Sequence, residues 1–273
     1  MDISAINEEQ VEVLLTDLLE HHGYDFTGYS RASLKRRITR LYTLDKVLSF
    51  AEFRYRIIND SIYFKRFVEQ ITVNVTEMFR DPSFFKTLRD SVLPALGTYP
   101  FIRIWIAGCS TGEEAYSISI ILKELNLLQK SLIYATDLNP VVLEKARQGM
   151  FALSQMKQYS ENYIASGGIN DFSTYYTANY SLAKFNDELR SKMIFSTHNL
   201  VSDHSFNEFQ LILCRNVLIY FDRELQHKVL DLFDESLEEL GYLALGTKET
   251  VEFSNISKLY KRVPLNKIWR KIK

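Results

Sequence analysis

The sequence is poor in cysteine, proline and glycine. Its two cysteines, Cys109 and Cys214, lie far apart inside apolar runs. That excludes a disulfide framework and predicts buried thiols in a cytoplasmic protein. Five prolines and ten glycines in 273 residues exclude a collagen-like or low-complexity chain. Net charge is almost missing: 33 Lys and Arg against 34 Asp and Glu give −1. Bulk attraction to nucleic acid or to an acidic membrane is therefore not expected. No run approaches the roughly 20 apolar residues that cross a bilayer, so no membrane insertion is expected. The opening MDISAINEEQ lacks the basic and apolar blocks of a signal peptide. His21, His22, His198, His204 and His227 show no zinc-ligand spacing; no metal is expected, and these side chains read as surface or satisfied core groups. No G-x-S-x-G elbow is present, which argues against hydrolase chemistry at Ser110 or Thr111.

What remains is an ordinary globular composition, 46% apolar and 25% charged, long enough for one large domain or two modest ones. The first 95 or so residues read as helices. Asn7 caps one whose Val11, Leu14, Leu15, Leu18 and Leu19 share a face, with Gly23 as its stop. Ser30 caps the next, with Leu34, Ile38 and Leu41 inward. Ser49 and Glu52 form a capping-box pattern, and a fourth helix runs from 61 to 71. VNVTEMFR (73–80) has no helical stripe. Asp81-Pro82 restarts a helix with Asp81 as cap.

From residue 101 the period changes. Apolar strands at 101–107, 131–136, 192–197, 209–214 and 242–246 alternate with helices at 113–127, after Asn139-Pro140, and at 223–240. Two short strands follow around Tyr260 and Trp269. This pattern predicts an α/β doubly wound sheet, a Rossmann-like domain, with its ligand crevice at the carboxyl ends of the strands. Residues 151–190 interrupt it with a glycine-ended helix and a Tyr-rich segment that is a strand or hairpin. The expected division is a helical domain over 1–80, a linker helix over 81–100, and a Rossmann-like domain over 101–273 with a small β insert at about 151–191.

Three segments carry chemistry. The turn Gly108-Cys109-Ser110-Thr111-Gly112-Glu113-Glu114 follows the first strand. Its glycines let a ligand approach the backbone and leave amide donors unblocked. Asp137 ends the second strand, where an acid suits ribose hydroxyls. The turn departs from G-x-G-x-x-G, and its acidic pair disfavours a pyrophosphate at the helix start. A nucleoside without phosphates fits, S-adenosylmethionine being the obvious one. In the second segment, Asn74, Thr76 and Arg80 stand at even spacing before a capped helix. In the third, Cys214-Arg215-Asn216 and the following Tyr220 close an apolar strand at the expected crevice.

Together GCSTGEEAYS, NVTEMFRDP and CRNVLIYFD resemble the signatures of the chemotaxis-receptor protein-glutamate O-methyltransferases (CheR type), over nearly the whole chain. The resemblance implies an S-adenosylmethionine-dependent methyltransferase domain behind an N-terminal all-α domain. It implies methylation of glutamates on the cytoplasmic helices of methyl-accepting chemoreceptors, with S-adenosylhomocysteine as product. By residue, it implies cofactor contacts at Asn74, Thr76, Arg80, Gly108, Asp137, Asn199, Leu200, Asn216 and Val217, and at the acid of GEE, matched best by Glu114 with Glu113 as the alternative. Arg80 and Tyr220 are candidates for the reacting end. Ala115 stands where the family often has proline, and Gly246-Thr247-Lys248-Glu249 where many members carry G-H-S-E. Residues 171–190 lack glycine, so tethering of a receptor pentapeptide by the insert is not expected.

The chemistry needs no base, since a glutamate of pKa about 4.3 is ionised near pH 7. Position and a water-poor site are what the protein must supply. Residues 26–44 contain no acid but hold Arg31, Lys35, Arg36, Arg37 and Arg40. They form a candidate docking face for an acidic receptor helix, and the resemblance implies that this helix faces the receptor. The chain is expected to act as a monomer. Two other readings stay open: a regulatory module that binds S-adenosylmethionine or S-adenosylhomocysteine without catalysis, and a methyltransferase with another substrate. Nicotinamide chemistry is disfavoured by the loop spacing.

Overall fold

The computed structural model describes residues 6–72 and 75–273. Four helices come first: α1 (Glu8–His22), α2 (Arg31–Leu44), α3 (Phe50–Asn59) and α4 (Ser61–Ile71). Asn7 and Gln10 cap α1 reciprocally, and Gly23 closes it at φ 72°. Val11, Leu14, Leu15 and Leu18 meet Leu34, Ile38, Leu41, Phe53, Phe67 and Ile71 in one core. Leu19, expected on that face, is 43% exposed. Ser49 caps α3 as expected, but the return bond of the capping box falls one residue earlier. Ser49 accepts from the Glu52 amide at 3.2 Å, while Glu52 accepts from Leu48 at 3.3 Å.

The helix after Asp81 is not the single one expected. It runs as α5 (Pro82–Thr87), a π-turn (Leu88–Val92) and α6 (Leu93–Leu96). Pro94 cannot donate a backbone hydrogen bond and would crowd the carbonyl four residues back; a widened turn before it relieves both. Asp81 makes no capping bond and sits at φ 59°; its carboxylate is used elsewhere.

The remaining elements are β1 (Ile102–Ala107), α7 (Glu113–Glu124), β2 (Ser131–Asp137), α8 (Pro140–Gln148), β3 (Met150–Ala152), α9 (Met156–Ala165), β4 (Tyr176–Asn179), β5 (Leu182–Phe185), α10 (Asp187–Arg190), β6 (Met193–Thr197), β7 (Phe209–Cys214), α11 (Arg223–Ser236), β8 (Leu237–Leu245), β9 (Tyr260–Arg262) and β10 (Ile268–Lys271). Seven strands form one sheet in the order β6-β2-β1-β7-β8-β10-β9. The first five are parallel; β10 and β9 are antiparallel. The last helix stops at Ser236, four residues short of expectation, because Leu237 already pairs with Phe209. Strands β3, β5 and β4 form the separate small sheet of the insert, with a β4–β5 hairpin.

Strand β7 is buried along its whole length, as expected of a strand covered on both faces. The chain winds outward from β1 through β2 to β6, then returns to place β7 on the other side of β1. That reversal opens a crevice above the carboxyl ends of β1 and β7. The helical bundle closes over it. Ser30 donates to the Tyr220 carbonyl at 2.8 Å and Asp222 to the Gly28 carbonyl at 2.9 Å. The Tyr29 and Phe221 rings meet edge to face at 4.9 Å. Only glycine fits at 28, where a Cβ would stand 2.7 Å from Leu225 Cδ2.

Candidate active site

The crevice is an open-mouthed cleft of about 990 Å³, counting the solvent space at its mouth. Its walls come from every segment singled out above, and from the bundle. Gly108 stands at φ 77°, and a Cβ there would run into Val217 Cγ2. Gly112, at φ 95°, has Ala146 where its Cβ would be, 2.9 Å away. The turn therefore needs both glycines.

What the turn offers differs from expectation in one respect. Four of its amides are already used. Gly108 and Cys109 donate to the Thr136 carbonyl at 2.8 and 2.9 Å, and Gly112 to the Cys109 carbonyl at 3.0 Å. Ser110 donates to Asp137 Oδ2 at 2.9 Å. The turn thus keeps fewer amide donors for a ligand than expected, as suits a nucleoside without phosphates. Asp137 is held by that amide and by the Asn139 amide on Oδ1, also at 2.9 Å. Burial raises its pKa, while these amide bonds oppose the shift.

The two glutamates diverge. Glu114 lines the crevice; Glu113 is 5% exposed, takes the Thr111 hydroxyl at 2.6 Å, and is pushed by burial up to about 7. Consecutive residues on a helix point about 100° apart, so only one faces the ligand. Thr76 and Arg80 line the crevice, as do Asn199, Leu200, Asn216, Val217 and Tyr220. Asn199 Oδ1 accepts from the Val201 amide at 3.0 Å. Arg80 Nη1 donates to the Val75 carbonyl at 3.3 Å. Asn74 lies outside the described residues.

The basic face of α2 is narrower than expected. Arg31 pairs with Glu12 at 3.1 Å and Lys35 with Glu8 at 2.6 Å, both on α1. Arg36 and Arg40 are exposed. Arg37 does not join them. Three residues on from Leu34 and four before Leu41, it falls at the edge of the inward stripe. It lines the crevice, donates to the Ile71 carbonyl at 2.6 Å, and holds its guanidinium 4.9 Å from the Tyr220 ring centre. Burial lowers its pKa, and Tyr220 opposes that shift.

Several wall residues were not anticipated. Tyr29 enters from the bundle, its phenol pKa raised by burial and then by Asp137. His198, expected to be surface or satisfied core, lines the crevice with its ring edge-on to Trp105 at 5.2 Å. Arg215 was expected at the crevice but without a role. Its side chain is 2% exposed, with Nη1 2.6 Å from Glu114 and Nη2 2.7 Å from Asp81. Nη2 also donates to the Arg80 carbonyl at 3.0 Å, and Cζ lies 4.0 Å over the Phe84 ring. One guanidinium thus joins the linker, the turn after β1 and the end of β7. A charge placed directly after six apolar residues was the available signal. Among the described residues no cluster of His, Cys, Asp and Glu could hold a metal ion, and no helix is long and apolar enough to cross a membrane.

A doubly wound sheet with a glycine-bearing turn after β1 and an acid at the end of β2 defines a nucleoside-binding protein of the Rossmann-like class. Residues 74–267 match the model of the CheR methyltransferase SAM binding domain, and residues 9–72 that of the CheR methyltransferase all-alpha domain. The chain belongs to the CheR methyltransferase family. It is a methyltransferase that uses S-adenosylmethionine. It is 45% identical over 248 residues to a Pseudomonas putida protein named "Putative methyltransferase Cher3", covering 91% of each chain. It is 33% identical to a "Chemotaxis protein methyltransferase" of Listeria innocua, covering 84% of this chain and 85% of that one. It is 32% identical to the protein of the same name from Salmonella typhimurium, covering 88% and 80%.

Proposed function

We propose that this chain transfers a methyl group from S-adenosylmethionine to glutamate side chains on the cytoplasmic helices of chemoreceptors, giving glutamyl methyl esters, and that it acts in the cytoplasm. One observation carries the reading. The helix that exposes Arg36 and Arg40 also sends Arg37 into the crevice, against Tyr220 and among the candidate cofactor contacts. A helix that docks an acidic partner thereby has a cation at the mouth of the nucleoside site. Relatives named chemotaxis protein methyltransferases support the same substrate class.

The crevice fits the cofactor. Gly108 lines the crevice, and the Asp137 carboxylate, oriented by two amides, suits a ribose diol. Thr76, Glu114, Asn199, Leu200, Asn216 and Val217 complete its proposed contacts. The cofactor supplies a methyl group made electrophilic by its sulfonium. Arg37 and Arg80 hold carboxylate oxygens by charge-assisted hydrogen bonds. Tyr220 aims its hydroxyl at the transfer point. The bundle, pressed down through Tyr29 and Phe221, excludes water that would otherwise solvate the attacking carboxylate. No side chain need act as a base.

Labelled S-adenosylmethionine should pass base-labile label to receptor glutamates in isolated membranes. Reversing both charges, Arg36→Glu with Arg40→Glu, should lower that transfer at least tenfold and leave S-adenosylhomocysteine binding within twofold. Label failing to enter any receptor, from protein that binds the cofactor, sinks the substrate assignment. Tyr220→Phe should lower kcat about tenfold at little cost in KM for S-adenosylmethionine, whereas Arg80→Ala should worsen both. Unchanged rates in steady-state assays of both variants would remove these residues from the reacting end.

A further inference from the structure

One buried carboxylate near the crevice has no part in the scheme above. Glu249 follows β8 by four residues and is 4% exposed. It does not line the crevice. Its Oε2 accepts from the Gly246 amide at 2.6 Å and the Asn216 amide at 3.0 Å. Its Oε1 accepts from the Ile219 amide at 3.3 Å. The Val217 amide also favours its charge. Among the described residues Glu249 forms no ion pair with a lysine or arginine. Gly246 is needed for this arrangement, since a Cβ there would meet Oε2 at 2.6 Å and the Asn216 nitrogen at 2.8 Å.

Burying a carboxylate without a cation costs several kcal/mol unless hydrogen bonds replace its water. Here backbone amides from two loops replace it, as in the amide nests that bind anions, with the anion supplied by the chain itself. The gathered segment is the one that carries Asn216, Val217 and Tyr220 into the crevice. It also contains Asn216 at φ 61°, in the left-handed region that asparagine tolerates better than most side chains.

We propose that Glu249 is a positioning residue for the S-adenosylmethionine site: its carboxylate, bonded to the amides of Gly246, Asn216 and Ile219, sets the turn that presents Asn216, Val217 and Tyr220 to the cofactor. The inference rests on the cofactor site and not on which protein is methylated. Glu249→Gln keeps the shape but turns an amide donor toward backbone donors. Calorimetry with S-adenosylhomocysteine should show the dissociation constant of this variant raised tenfold or more, with KM for S-adenosylmethionine raised in step and kcat less affected. A role in stability alone would lower the melting temperature and leave the affinity of the folded protein unchanged; that result overturns the proposal. Wild-type binding in the same experiment reports on the cofactor site itself, so the two failures are distinguishable.

If the variant does not fold, the wild-type protein decides the matter. On acidification the amide proton resonances of Gly246, Asn216 and Ile219 should move together along one titration curve. Cys214, whose raised thiol pKa reflects burial and then Glu249 and Glu114, stays uncharged throughout. Three amides that titrate apart, or not at all, overturn the proposal.

Discussion

Arg215→Met is expected to cut methyl transfer a hundredfold or more and to lower the melting temperature by several degrees. The guanidinium is 2% exposed and neutralises two carboxylates, Glu114 at 2.6 Å and Asp81 at 2.7 Å. Methionine fills the space over Phe84 but leaves both acids without a cation. Breaking a buried pair in this way costs about 3–5 kcal/mol. Asp81 is 36% exposed and relaxes toward water, so the lower end applies. At a chain of this size each kcal/mol is worth roughly 2–4 °C. Function should suffer beyond stability, because the same group holds the Arg80 carbonyl at 3.0 Å and steadies Glu114 on the crevice wall. Arg215→Lys should not restore activity, since a point charge cannot satisfy three acceptors arranged for a planar fork. Thermal melts and calorimetry with S-adenosylhomocysteine check the prediction. A variant with wild-type affinity and melting temperature refutes it.

Asp137→Ala should weaken S-adenosylhomocysteine binding by about two orders of magnitude. A hydrogen bond to a charged group contributes about 1.5–3 kcal/mol, and every 1.4 kcal/mol is tenfold in affinity. The substitution also frees the Ser110 and Asn139 amides, each bonded to this carboxylate at 2.9 Å. The turn after β1 then loses its tie to the end of β2. The pH dependence has a definite sign. Burial raises the Asp137 pKa, so its acceptor oxygens are lost nearer to neutrality than for an exposed aspartate. Wild-type affinity should fall as pH is lowered, and the Asp137→Ala variant should lack that component. Calorimetric titrations across pH 5 to 8 test this; equal slopes in both proteins would remove Asp137 from the nucleoside contacts.

Much of the framework was readable from local patterns. Asn7, Gly23 and Ser49 delimit helices by capping chemistry between residues close along the chain. The apolar runs at 102–107 and 209–214 are strands because a sheet covered on both faces needs no polar alternation. Gly108, Asp137 and Asn216 line the crevice because the winding of the sheet brings these strand ends together, whereas Glu114 was reached only through the family resemblance. Asp81 was misread. As a residue before proline it satisfies the capping rule, yet a guanidinium 134 positions away takes its carboxylate. Leu237 was placed in a helix because its neighbours favour one, while pairing with Phe209 across the sheet prevails.

Local chemistry, then, was enough to say that helices precede a wound sheet and where the crevice opens, while the cofactor also needed the family resemblance of three motifs. These depend on spacing and on groups close along the chain. The tertiary structure alone decided which charges serve the crevice. Arg37 leaves the basic surface for Tyr220, Arg215 binds two distant acids, and Glu249 gathers amides from two loops. A buried charge takes whichever partner the packing brings within about 3 Å, and nothing in the neighbouring residues encodes that meeting.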